Sequence, residues 1–142
     1  MYVNATAGSA KYSSTGLWVQ NAPKDTETLG LNYHRANWNV GLFNKRIGRM
    51  YNDNGNINQA VAINPFNITN LFINYTLKGA SRFAQTRVRL SINNLFDDHS
   101  IVGVNPASTK TSVPSAGDIL NIMAARSVTL TLRVGFSPKG KP

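Results

Sequence analysis

Cysteine is absent from the 142-residue chain. Structural disulfides, thiolate zinc sites and cysteine-based catalysis are therefore all excluded. Acid is scarce: six Asp and Glu stand against fifteen Lys and Arg, a formal charge of +9. No two carboxylates are placed for acid–base work, and no Gly-rich phosphate loop or serine nucleophile motif is present. No catalytic residue and no cofactor follow from the sequence, and enzyme activity has no support in it. Charge of both signs is only 15% of residues, against about a quarter in ordinary globular chains. Apolar runs are only a few residues long, far short of the roughly 18–20 of a membrane-crossing helix. The opening "MYVNATAGSAKYSSTG" has no basic region leading into an apolar core, so it does not read as a secretory signal. A helical period is missing too, except briefly in "GDILNIMAAR" (117–126), where Asp118 is expected to cap a short helical turn.

Two things are abundant. One is Asn, at 18 residues, whose amide both donates and accepts and so suits turns and polar faces. The other is alternation of period two. In "RSVTLTLRVGF" (126–136), Val128, Leu130, Leu132, Val134 and Phe136 share one parity, and Ser127, Thr129, Thr131 and Arg133 the other. That pattern is what a strand with one apolar and one polar face demands. Residues 87–93 repeat it, with Val88, Leu90 and Ile92 opposite Arg87, Arg89 and Ser91. "TNLFINYTLK" (69–78) alternates with Phe72 as its one exception, and "TLGLNYHR" (28–35) puts Leu29, Leu31 and Tyr33 opposite Thr28, Gly30, Asn32 and His34. "VGLFNKRIGRMY" (40–51) is mixed in parity, and "YVNATAGSAKY" (2–12) has small residues that carry little information. The expectation is six strands in an antiparallel up-and-down meander, an all-β fold.

The connections alternate as well. Strand 2 reaches strand 3 through "RANWN", and strand 4 reaches strand 5 through "GASRFAQ". Strand 3 reaches strand 4 through "NDNGNINQAVAINP", and strand 5 reaches strand 6 through 97–125. In a meander, alternate connections share an end, so one end has tight turns and the other long excursions. Transmembrane β-barrels have this asymmetry. A soluble sandwich also needs one apolar face per strand, and alternation alone would favour it. Against it, Lys78, Arg87, Arg89 and Arg133 all keep to the polar parity, where a lipid-facing position would cost about 2–4 kcal/mol at mid-bilayer.

"SINNLFDD" (91–98), with Asn94, Leu95, Phe96 and Asp97 at its centre, resembles the "NLFD" signature near the C-terminus of TonB-dependent outer-membrane receptors. In that family the motif closes the next-to-last barrel strand, and a long extracellular loop and a final strand of the form Arg-x-Val/Leu-x-Leu-x-Val-x-Phe follow. Arg126 through Phe136 matches that strand in order and spacing. "APKDTETLGLNY" (22–33) and "NPFNITNLFINYTL" (64–77) are similar to earlier strand entries. The likeness spans most of the chain and is strongest over 64–136. It implies that 1–136 form the last six strands of a plugged barrel of about 22 strands, followed by a basic tail, 137–142. It implies placement in the outer membrane of a Gram-negative bacterium, among lipid and lipopolysaccharide. Energised import of a siderophore, cobalamin or other scarce nutrient would follow, driven by TonB acting on the plug. Residues 52–65 and 97–125 would then be extracellular loops. Arg87, Arg89 and Arg133 would face the lumen, toward acidic groups of the plug or a solvent path.

Three further expectations come from the residues themselves. The Asn-Leu-Phe-Asp run is structural: Asn93 and Asn94 satisfy freed backbone groups, Asp97 accepts from backbone N–H, and Leu95 and Phe96 anchor the strand end. Tyr33, Trp38 and Phe136 fall at the tight-turn end and Trp18 near the other, as interface girdles require. Asp97-Asp98-His99 is a poor metal site, because neighbours on an extended chain point to opposite sides; no metal ligand is assigned. Six strands alone would leave two open edges in lipid, with roughly ten unpaired backbone groups on each, at several kcal/mol per group. The chain is therefore expected to need further strands, and not to form a heat-resistant monomer in detergent. The alternative is a soluble basic β-domain for nucleic acid or an acidic glycan. The charge favours it, but no RNA-binding aromatic signature is present, so nucleic acid is not assigned as a partner.

Overall fold

The computed structural model describes residues 1–8, 10–52, 61–77, 86–105 and 116–135. The described residues are all-β. The strands are β1 (Tyr2–Ala7), β2 (Asp25–Arg35), β3 (Trp38–Ile47), β4 (Met50–Asn52), β5 (Val61–Ile63), β6 (Phe66–Thr76), β7 (Arg87–Asn93), β8 (Ile101–Asn105), β9 (Ile119–Ile122) and β10 (Ser127–Arg133). Six of them build one antiparallel sheet in the order β1-β2-β3-β6-β7-β10, and β4–β5 and β8–β9 are separate hairpins. The six strands of the meander are those expected from alternation, including β1, whose small residues gave the least warning.

The register explains the pattern. Leu31 pairs with Leu42, Leu42 with Leu71, Leu71 with Ile92 and Ile92 with Val128. Cross-strand partners share a face, so this is one apolar row over five strands. The next row toward the tight turns is Tyr33, Val40, Ile73, Leu90 and Leu130. The opposite face carries Asn, Thr and Ser with His34, Lys45, Arg87, Arg89 and Arg133, while Arg35 and Arg46 lie at the two ends of the apolar face. Phe72 breaks the parity of its strand for a reason found one strand away. It pairs with Gly41, and a Cβ on Gly41 would run into its ring. Phe43 likewise pairs with Gly30, where a Cβ would lie 2.7 Å from the ring. The two rings stack with centroids 5.8 Å apart. Two glycines thus open the polar face to two rings that cover bare backbone.

The mixed parity of 40–51 has two sources. Within β3, Phe43 lies on the polar face over Gly30 while Asn44 and Arg46 lie on the apolar one, and β3 stops at Ile47, after which Gly48 and Arg49 lead into the separate strand β4. Two other expectations are corrected. Residues 119–122 form β9 rather than a helical turn, because they pair with β8 and β-branched Ile119 and Ile122 suit a pleated strand better than a helix. The final strand ends at Arg133, so Val134 lies just past it. Phe136, Lys78 and the tail 137–142 lie outside the described residues.

The connections 8–24, 48–65 and 94–126 all leave the same end of the sheet. The second and third of them, with Phe66 at the start of β6, supply the core. The buried apolar residues among those described are Met50, Val61, Ile63, Phe66, Val104 and Met123, and they form one cluster with Ile47, Ile68 and Val102 packed against it. Hairpins β4–β5 and β8–β9 therefore fold together over the inner ends of β3 and β6. Asn52 is buried between them and donates from Nδ2 to the Val104 carbonyl.

Gly41→Ala is expected to destabilise the sheet by about 1–3 kcal/mol, the usual cost of overpacking. Thermal unfolding followed by circular dichroism checks this. Phe72→Leu in the same chain should recover part of the loss by vacating the space.

Candidate functional site

No second layer covers the apolar face of the sheet among the described residues. Leu130 is 70% exposed, Leu132 62% and Val128 62%. Leu29, Leu31, Tyr33, Trp38 and Leu42 on the other strands are exposed as well. Burying one such side chain is worth roughly 1.5–3 kcal/mol, and soluble monomers rarely expose a continuous patch beyond a few hundred Å². Charge returns on this face at both ends of the strands: Arg35 pairs with Trp38 beside the tight turn, and toward the long connections Glu27 pairs with Arg46. There Arg46 forms an ion pair with Asp25 and approaches Glu27 at 3.5 Å.

Aromatic residues mark the tight-turn border of the apolar face. Trp38 opens β3 directly after the turn at Ala36 and Asn37, and its ring lies 4.6 Å from that of its cross-strand partner Tyr75. Tyr33 stands one row further in. Trp18 belongs to the other end, as expected. It stacks on Tyr51 at 5.5 Å, with the ammonium groups of Lys11 and Lys24 at 4.7 and 4.6 Å from its ring. This cation–π cluster pins connection 8–24 onto hairpin β4–β5. The sequence reading missed it, because its members are far apart in the chain.

The Asn-Leu-Phe-Asp turn is a tie between three strands. Asn94 is buried and takes a left-handed backbone, φ 51°, which Asn tolerates better than most residues. Its Nδ2 donates to the carbonyls of Asp98 and Ala124, each at 2.8 Å. Its Oδ1 accepts from the Asp98 N–H at 2.9 Å, and its own N–H donates to Asn70 Oδ1 at 3.0 Å. Leu95 N–H donates to the Thr69 carbonyl at 2.7 Å. Asp97 Oδ1 accepts from the Arg126 N–H at 2.7 Å. One turn thus joins the end of β7 to β6 and to the residues that start β10. The structural role expected of Asn94 and Asp97 is present, with a partner at 124–126 that no local pattern announces. The anchoring expected of Phe96 against neighbouring side chains is not seen: its side chain is 76% exposed. Asp98 turns to the Ser100 N–H and Oγ, so the two adjacent carboxylates serve separate backbone groups. His99 stands 4.0 Å from Asp97.

The polar face carries Arg87, Arg89 and Arg133 together. Arg87 and Arg133 are direct cross-strand partners. Arg89 lies over the Phe72 ring at 5.5 Å and donates from Nε to Ser91 Oγ at 3.1 Å. With His34, Asn39 and Asn74 the arginines of β7 edge a concavity of about 560 Å³. Comparison of the chain with family models, curated proteins and solved structures finds no match.

Asn94→Ala is expected to cost about 2–4 kcal/mol, since it strands two carbonyls and places Ala in the left-handed region. Urea unfolding measures it, and Asn94→Gly should recover only the backbone part. The Arg126 amide hydrogen bond, helped by nearby His99 and Arg126 charge, holds the Asp97 carboxyl below its ordinary 3.8. Its folded pKa is depressed, so its contribution is present above the ordinary value and lost as pH falls through the lower folded one. The Arg126 amide chemical shift should titrate with a midpoint below 3.8, and Asp97→Asn should abolish that titration.

Proposed function

We propose that this chain is a lipid-facing section of a transmembrane β-barrel of the TonB-dependent receptor kind, serving nutrient uptake across an outer membrane. The observation that carries this reading is the uncovered apolar face of a six-stranded antiparallel meander. In water that face needs a cover; in a bilayer it needs none. The grouping of all long connections at one end, and of tight turns and aromatics at the other, supports the same reading.

The border of the apolar band adds a further support. Toward the tight turns the band ends at Val134 after β10 but at Tyr33 in β2, two register rows apart. Toward the long connections it ends at Val128 in β10 but at Leu29 in β2, one row apart. A row is about 6.8 Å and four strand steps about 19 Å. Both borders therefore slant the same way, by about 20–35°. A band parallel to a membrane must slant across strands that are themselves tilted, and barrel strands tilt by about 35–45°.

On this reading the uptake role, the nutrient and the partners come from the resemblance. Lipid and lipopolysaccharide meet the apolar face and its rim. Further strands meet the free outer edges of β1 and β10, and a plug acted on by TonB fills the interior. The second reading, a soluble basic β-domain for nucleic acid or an acidic glycan, is favoured by the basic polar face but leaves the apolar face in water. Recovery of the gene product with outer membranes, released only by detergent, supports the first. Recovery in the soluble fraction with a salt-sensitive nucleic-acid shift supports the second.

Leu130→Arg is expected to lower membrane insertion by about 2–4 kcal/mol, while Thr129→Arg, one residue away on the other face, is tolerated. The share of the cell-made protein recovered with outer membranes and released only by detergent reads both. Equal tolerance of the two substitutions contradicts the proposal.

A further inference from the structure

The apolar face of the main sheet carries four charged side chains among the described residues, and three of them satisfy one another. Asp25, Glu27 and Arg46 lie together toward the long connections, where Arg46 is ion-paired with Asp25 and stands 3.5 Å from Glu27. The fourth is Arg35, the last residue of β2. It is exposed and lies about 27 Å along the strand from Glu27. The other described acids, Asp97, Asp98 and Asp118, belong to connection 94–126 at the far end of the sheet. No described carboxylate is therefore near Arg35.

The surroundings of Arg35 indicate what fits it. Its register row is Arg35, Trp38, Tyr75, Val88 and Leu132, so its side chain starts beside the Trp38–Tyr75 ring pair. Tyr33 lies two residues back on the same face. Trp38 is 50% and Tyr33 57% exposed, so these rings are as uncovered by the chain as Arg35 is. Indole and phenol rings favour the depth at which acyl chains give way to headgroups. Leu31 and Val40 follow on the inner side. The order along the face is thus cation, rings, aliphatic side chains, and an amphiphile with an anionic head presents the complementary order. The planar guanidinium fork takes phosphate oxygens two at a time. An Arg on a lipid face costs about 2–4 kcal/mol at mid-bilayer and about 0–1 near the border, so Arg35 stands where that cost is least.

Net charge chooses among headgroups. A zwitterionic head brings its own ammonium and leaves Arg35 unbalanced, whereas a singly anionic head neutralises it. The opposite border differs, since Asp25 and Glu27 outnumber Arg46 there.

We propose that Arg35, with Trp38 and Tyr75, forms a binding site for the phosphate of an anionic phospholipid at the tight-turn border of the apolar face. This rests on the reading of that face as lipid-facing, and adds to it a headgroup preference confined to one border.

The test uses the protein as its cells make it, extracted from their membranes and transferred to phosphatidylcholine vesicles. Trp18→Phe leaves Trp38 as the one indole and keeps a ring against Tyr51. Trp38 fluorescence is read against a rising share of brominated lipid. Brominated phosphatidylglycerol half-quenches Trp38 at about a five-fold lower share than brominated phosphatidylcholine, the ratio that about 1 kcal/mol per arginine at an anionic surface gives. R35Q in the same protein brings the two lipids to equality, while quenching by phosphatidylcholine persists and shows that the variant is still inserted. K45Q, which removes a cation of the other face, leaves the preference unchanged. An excess of inorganic phosphate, at the ionic strength of a chloride control, also leaves it unchanged. Equal quenching by the two lipids before any change at Arg35, a preference that persists in R35Q, or one lost equally in K45Q overturns the proposal. Abolition of the preference by inorganic phosphate assigns the site to the free ion and overturns it as well. Absence of quenching by either lipid overturns the membrane reading and this site with it; equal quenching overturns this site alone.

Discussion

The whole arrangement depends on where the apolar face of the sheet is kept out of water. Hydrophobic side chains ordinarily stabilise a fold by packing against one another. Here the largest set of them, running from Leu29 and Leu31 through Leu42 to Leu130 and Leu132, points away from the rest of the described chain. The buried apolar cluster is elsewhere, beneath the hairpins at the long-connection end. A sheet built this way has its driving force supplied from outside. On the proposed reading lipid is that outside medium, meeting a face that is apolar, oblique to the strands and bordered by Trp38, Tyr75 and Tyr33, and the polar face with Arg87, Arg89 and Arg133 is the interior.

The two ends of the sheet are held by different means. At the tight-turn end, short connections and hydrogen-bonded strand pairs suffice. At the other end the long connections are folded onto the sheet, and three devices hold them. The small core joins the hairpins; Trp18, Tyr51 and the two lysines hold connection 8–24; Asn94 and Asp97 bind the exit of β7 to the entry of β10. The last device matters most for the edge. Without it β10 would be held by its pairing with β7 alone, since no other described strand pairs with it.

How legible this was depended on whether the relevant partner lay nearby in the chain. β7 and β10 were plain because each alternates without exception over its own length. Phe72 looked like an error in its strand until Gly41 was seen beside it, and that is a relation between strands which one strand cannot show. Hairpins β4–β5 and β8–β9 are too short for periodicity, so 119–122 read as a helical turn. The Asn94 turn was legible as a turn from its residue types, but its reach to Ala124 and Arg126 spans a whole connection. The shared face of Arg87, Arg89 and Arg133 followed from parity; the opposition of Arg87 to Arg133 needed the register. The uptake role belongs to a resemblance in 64–136 and stands as a proposal beside the geometry.

Spin labels placed singly at residues 127–133, with the protein reconstituted in lipid vesicles, test the central claim most directly. Collision with apolar oxygen and with a polar nickel chelate separates lipid from water. The account predicts a strict alternation: labels at 128, 130 and 132 meet oxygen and not the chelate, and labels at 127, 129, 131 and 133 do not meet oxygen as lipid-exposed sites do. Chelate access at 128, 130 and 132, or protection of those positions from both probes, would contradict it.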